Sequence, residues 1–257
     1  VPTDEAQLLY KEVRRLFGSL ADVERFAQDL REFRMGELRI ITATSIGHTL
    51  ISEATTEFAT EFQDVHIKID TSSNVGPDVL RQNVDLGFSV TQFHHPALRT
   101  EALFHASAVC VLPKGHRLCA LDKITPRDLE GEEFVSFTRD SRMRHITDAV
   151  FEQRRVARKM RLEVFTSAEA NALVSRGLGV AIVEPLGVSR GIWSGLEIRP
   201  FEPQLEFTFS LLRPQDRGDV ALANRFLDIL KARIRDMAEG SQAESGTLNV
   251  RLPRKKD

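Results

Sequence analysis

Cysteine is nearly absent: Cys110 and Cys119 are the only two in 257 residues. That is too few for a disulfide scaffold, and neither has the spaced His and Cys partners of a zinc site. Both are expected to be buried thiols in a reducing cytoplasm. Charge of one sign is also missing. Lys and Arg total 35 against 37 Asp and Glu, a formal charge of −2, so the chain as a whole carries no basic field of the kind that holds nucleic acid. Any DNA contact has to be local or supplied elsewhere. No apolar run reaches the ~18 residues that span a bilayer, and the N-terminus lacks the charged-then-apolar pattern of a signal peptide. The chain begins at Val1 rather than Met, as expected of a fragment or a trimmed protein.

Catalytic signatures are missing too. Gly191-Ile192-Trp193-Ser194-Gly195 has the wrong spacing for a nucleophile elbow, Gly177-Leu178-Gly179 lacks the rest of a dinucleotide fingerprint, and no phosphate loop is present. His94 and His95 are adjacent, while His48, His66, His105, His116 and His145 form no i, i+4 metal pair. The sequence therefore assigns no catalytic residue, no metal ligand and no cofactor.

What is present starts with a helix. Thr3 can cap it, and Asp4 and Glu5 suit the positive end of its dipole. No proline follows Pro2 until Pro77. Leu9, Val13, Leu16, Leu20, Val23, Ala27 and Leu30 fall at alternating steps of four and three, the spacing of a two-helix seam. The 7 acidic and 6 basic residues between Asp4 and Arg34 nearly cancel, which describes a solvated polar face. About 30 helical residues span about 45 Å, more than the face of one lobe, so a dimer seam is favoured over packing within one domain.

From Gly36 the pattern alternates. Glu37–Ala43, Val65–Thr71 and Val84–Val90 read as strands, with helical stretches Ile46–Phe62 and Pro77–Gln82 between them. That order is βαβαβ with a parallel sheet. A second series runs through strands Ser107–Leu112, Glu133–Phe137, Arg161–Phe165 and Leu178–Val183 and helices Arg142–Arg154 and Ala168–Ser175. Leu205–Leu212 then reads as a strand and Asp219–Met237 as an amphipathic closing helix.

These residues resemble the regulatory half of a LysR-type transcriptional regulator. Pro2-Thr3-Asp4-Glu5-Ala6 resembles the entry to that family's dimerising linker helix. Gly36-Glu37-Leu38-Arg39-Ile40 resembles its G-x-L-R-I first strand, and Val84-Asp85-Leu86-Gly87-Phe88 its x-D-L-G-I third strand. Gly177-Leu178-Gly179-Val180-Ala181-Ile182-Val183-Glu184-Pro185 resembles its G-L-G-I-A-x-L-P segment. Two positions depart from the pattern. Asn83 stands where the family usually has Gly and is expected to take the left-handed conformation at a helix end, and His116-Arg117-Leu118 stands for H-P-L. No helix-turn-helix precedes Val1, so the resemblance implies that promoter DNA is reached only through an N-terminal head absent from this chain.

The resemblance implies an α/β fold of two Rossmann-like lobes joined by two crossing strands, periplasmic-binding-protein-like, behind a long linker helix. The expected boundaries are 1–35 for the linker helix, 36–106 with 212–238 for lobe one, 107–211 for lobe two, and 239–257 for a polar, disordered tail. Ligands in such sheets bind beyond the carboxyl ends of the strands. Those ends carry Thr44 and Ser45, then Ser72, Ser73 and Asn74, then Arg139, Ser141 and Arg142, then Ser167, and last Glu184. Ser, Thr and Asn also cap helices, so each has a purely structural reading. Family hydroxyls at the first two strand ends hold effectors, which supports Ser45 and the Ser72-Ser73 pair; that pair also resembles regulators sensing amino-acid conjugates such as opines. The implied function is sensing of a small carboxylate or zwitterion in a cytoplasmic, membrane-free dimer, tetrameric at full length. The alternative is a free-standing solute-binding protein of the periplasmic-binding-protein type.

Overall fold

The computed structural model describes residues 36–191, 193–216, 220–243 and 250–253. The seam residues Leu9 to Leu30 lie outside them.

Lobe one is built on a six-stranded sheet in the order β11-β4-β10-β3-β1-β2. Strands β1 (Gly36–Thr42), β2 (Val65–Thr71) and β3 (Leu86–Ser89) run parallel. Strands β4 (Leu98–Ser107) and β10 (Glu206–Pro214) pair antiparallel along their length and carry the chain out to lobe two and back. The buried Leu38, Ile40 and Leu86 take their place from the period-2 pattern of these strands. Gly87 is required by packing: a Cβ there would lie 2.4 Å from Val79 Cγ2 on the facing helix.

The first crossover starts as α1 (Thr44–Ile46), widens to π geometry over Gly47–Ile51, and continues as α2 (Ser52–Glu61). This stretch is rich in Ser and Thr, poor helix formers because their hydroxyls compete for backbone groups. Here the competition is settled within the helix: Thr49, Ser52, Thr55, Thr56 and Thr60 each donate to the carbonyl four residues back. Helices α3 (Val75–Arg81) and α6 (Ala221–Ala243) complete the lobe. Phe226 of α6 is fully buried, edge-on to Phe58 at 5.6 Å and beside Phe88 at 6.4 Å.

Lobe two contains β5 (Val109–Pro113) between β8 (Ala181–Val183) and β9 (Leu196–Pro200), and the parallel pair β6 (Glu133–Phe137) and β7 (Lys159–Val164). Val180 joins the two sheets, donating to Glu133 O at 2.8 Å and accepting from Val135 N at 2.9 Å. That approach explains Gly179, whose φ is +129° and whose Cβ would sit 2.4 Å from Glu133 O. Helices α4 (Arg142–Arg154) and α5 (Ser167–Val174) cover it.

Three expectations need correction. Among the described residues Arg155 alone has positive φ outside glycine, so Asn83 is not left-handed; α3 ends instead on an extended Gln82. Cys110 is buried, which pushes its thiol up, but Cys119 is only half-buried, with Sγ 3.5 Å from Pro113 O. The tail from residue 239 also departs from disorder: α6 runs to Ala243, and β11 (Val250–Arg251) adds an edge strand on β4 at Ala106 and His105. Burial of the Val250 side chain, 2% exposed, and the Arg251–Glu206 ion pair hold that strand. None of the described helices is long and apolar enough to cross a membrane.

Candidate functional site

The carboxyl ends of β1, β2, β3 and β6 face one another across a cavity of about 360 Å³ between the lobes. Backbone bonds fix its rim on the lobe-one side: Ala43 N–H donates to Phe88 O at 2.8 Å and Ser72 N–H to Thr42 O at 2.9 Å. Three successive parallel strands therefore end level, and their loops open on the same space.

Thr44, Ser45, Ser72, Ser73, Asn74, Ser141, Arg142, Ser167 and Glu184 all line this cavity. Arg139 does not. The turn after β6 closes with Ser141 N–H on Thr138 O at 3.0 Å, which leaves Arg139 exposed on the outside. Neither Arg139 nor Arg142 forms an ion pair with Asp140 or any other acid among the described residues.

The capping reading divides these hydroxyls. Ser72 is spent locally, donating to Asp78 Oδ2 at 2.5 Å and accepting from Asn74 N–H at 2.9 Å. Ser45 is no cap: Ala43 is the N-cap of α1, and Ser45 lines the cavity on the same side as Thr44. At α5 the cap is Thr166, in a reciprocal box with Glu169, whose carboxyl is held below its usual range first by the Thr166 N–H and then by that of Phe165. Ser167, one residue on, is not that cap and lines the cavity.

Glu184 is the centre of the site. It is 4% exposed and takes N–H bonds from Leu186 at 2.8 Å and Gly187 at 3.2 Å. Burial pushes its carboxyl above the ordinary range, and the nearby Ser45 and Ser167 side chains and the two N–H groups pull against that shift. Gly187 O in turn accepts from Asn171 Nδ2 at 3.1 Å and from the Trp193 indole at 2.8 Å, which ties an aromatic wall to the loop beneath Glu184.

Several lining residues have no counterpart in the sequence reading. Ser89, Val90, Thr91 and Gln92 follow β3 and obey the same strand-end rule, so the rule could have found them. His48 and Thr49 enter because the π turn shifts the helix surface, and Phe165 and Trp193 lie in loops. Glu206, Phe207 and Thr208 come from crossing strand β10. Thr208 Oγ1 lies 3.2 Å from His105 Nδ1 on the other crossing strand, and that ring lies 3.4 Å from Glu206 Oε1. The cavity thus reaches β10, one of the two strands that connect the lobes. No cluster that could hold a metal occurs among the described residues.

Known proteins resemble this chain in sequence and fold. The Escherichia coli (strain K12) transcriptional activator protein LysR is 34% identical over 235 residues, 90% of this chain and 75% of that protein. Regulatory protein NocR of Agrobacterium tumefaciens (strain T37) is also 34% identical, over 237 residues, 90% of this chain and 79% of its own length. The regulatory domain of Synechocystis PCC6803 CcmR, solved in complex with 2-PG, superposes with a TM-score of 0.69 at 18% identity, over 79% of this chain and 99% of that one. The superposition speaks to the fold, the two-lobe periplasmic-binding-protein-like architecture of regulatory domains. The family model for the LysR substrate binding domain matches residues 31–235, and with these relatives it places the chain in the LysR family of transcriptional regulators.

Proposed function

We propose that this chain is the effector-sensing and dimerising part of its regulator, gripping a small carboxylate or zwitterion between the lobes. The observation that carries the reading is the cavity of about 360 Å³, lined by strand ends of both lobes and by crossing strand β10. A ligand held there contacts both lobes at once, so it binds the closed arrangement better than the open one and shifts their populations. Movement about β4 and β10 would then pass to the N-terminal heptad helix, paired with a second copy, and on to DNA-binding heads of the full-length, cytoplasmic protein. Dimers of this kind would associate to tetramers at full length.

The binding residues we propose are Ser45, Ser73, Asn74, Ser141, Ser167 and Glu184, with Arg142 receiving a carboxylate at the rim. The 2-PG bound by the CcmR domain supports a small-molecule effector for this fold. Likeness to named regulators favours sensing over the free-standing solute-binding alternative.

A thermal-shift screen of organic acids, amino acids and their conjugates tests the reading. A ligand at 100 times its Kd stabilises by about 2.7 kcal/mol, which in a domain of this size raises Tm by about 5–10 °C. A screen in which no compound moves the transition would count against effector sensing by this chain.

A further inference from the structure

We propose that strand β11, near the C-terminal end of the chain, is a clasp on the bridge between the lobes: held in place it stiffens the crossing strands, and released it lets the interlobe cleft loosen. The proposal rests on the reading of β4 and β10 as the strands about which the lobes move, and its test needs no effector.

The bridge is not uniform along its length. On the lobe-one side β3 flanks β10 at Ser210, Leu211 and Leu212. Nearer lobe two, residues 206–209 of β10 have β4 as their strand partner among the described residues, and they face residues 104–107. The register slips between Phe209 and Ser210, where the support of β3 stops. An irregularity of this kind bends a strand, and two strands alone twist more readily than strands within a wider sheet. Flexing is therefore concentrated in this stretch.

Strand β11 supplies a third strand there. Val250 and Arg251 pair with Ala106 and His105, inside the stretch that β3 leaves unsupported. Two residues of backbone pairing hold little by themselves, so the anchoring comes from side chains on opposite faces. Val250 is 2% exposed and belongs to the hydrophobic core, on a strand that packs against α6 of lobe one. Arg251 stands in one row with His105 and Thr208 across β11, β4 and β10, and it pairs with Glu206, two residues along the same face. Glu206 Oε1 also lies 3.4 Å from His105 Nδ1, and Glu206 and Thr208 both line the cavity. The clasp thus ties lobe one, through α6, to the lobe-two end of the bridge, and its charged side ends in the cavity wall.

Hydrogen exchange and acrylamide quenching of Trp193 fluorescence test this on the full chain without ligand. Trp193 is the only tryptophan and lines the cavity, so its quenching reports how open the cleft is. Val250→Asp places a carboxylate in the core and should release the strand. Amides of residues 104–109 and 205–209 are then expected to exchange at least about tenfold faster, with those of β1 unchanged and Trp193 more readily quenched. Arg251→Glu should act in the same direction by about two- to fivefold, the scale of a half-exposed ion pair, and adding Glu206→Arg should restore the wild-type rate. Arg251→Glu decides the matter should Val250→Asp melt as a whole. Unchanged bridge exchange in Arg251→Glu, acceleration shared equally by β1, or a loosened bridge with Trp193 quenched as in wild type would each overturn the proposal. None of these results bears on whether an effector binds, which the thermal-shift screen reads separately.

Discussion

Asp148→Ala is expected to destabilise lobe two by about 3 kcal/mol, toward the low end of the 3–5 kcal/mol seen when a buried pair loses one partner. Asp148 sits between two guanidiniums whose side chains are only 7% and 5% exposed, those of Arg144 and Arg158. Arg144 reaches it through Nε at 2.9 Å and reaches Glu163 Oε1 through Nη1 at 2.8 Å, whereas Arg158 has Asp148 as its carboxylate partner among the described residues. Arg158 stacks over Phe151 at 4.7 Å and Phe134 at 5.2 Å, and burial with the Arg144 charge lowers its pKa to about 10. Removing Asp148 therefore strands a cation between two rings. The partial exposure of Asp148, 31%, admits water and sets the lower figure. Arg158→Met should cost less, because it removes the charge and keeps the apolar stem. Urea unfolding of the two variants checks this, and an Asp148→Ala midpoint equal to wild type would show that water compensates the guanidiniums. The site is affected as well: Arg144 Nη1 donates to Phe137 O at 2.9 Å, at the end of β6 where the cavity lining begins.

Charges placed in the proposed heptad seam should have the other large effect. Leu16→Glu with Val23→Glu would set four carboxylates against an apolar stripe in a dimer, each unpaired and desolvated, at a cost of several kcal/mol. Sedimentation should then show a smaller species than wild type. An unchanged oligomer would move self-association away from residues 6–30.

Much of lobe one was legible from the sequence because β1 and β3 carry buried apolar residues, β2 alternates Val65, Ile67 and Ile69 with polar residues, and each crossover is punctuated by polar strand ends. The G-L-G and D-L-G motifs could be recognised, and the structure supplies their reason in the close contacts at Gly179 and Gly87. Strands β9 and β11 could not be read. Leu196-Glu197-Ile198-Arg199-Pro200 mixes charge and proline with its apolar residues, and Val250–Arg251 is only two residues long, so neither carries a period. The site was legible as a set of strand ends but not as a set of roles. Ser45 was read as a ligand-facing hydroxyl that could also be a cap; the N-cap is Ala43, two residues earlier, so the capping role falls away and the cavity-lining one stays. Arg139 and Arg142 are three residues apart, and a single turn sends one outward and the other to the rim. Long-range geometry decides such assignments, and no local pattern records it.

The most direct test of the account is calorimetric titration of a compound selected by the thermal-shift screen, on wild type and on Thr44→Trp, a cavity-lining position where an indole would occupy ligand space. One ligand per chain binding wild type, with binding lost in Thr44→Trp at an unchanged melting temperature without ligand, is the expected result. Equal affinity for both proteins would place the effector outside the interlobe cavity and contradict the account.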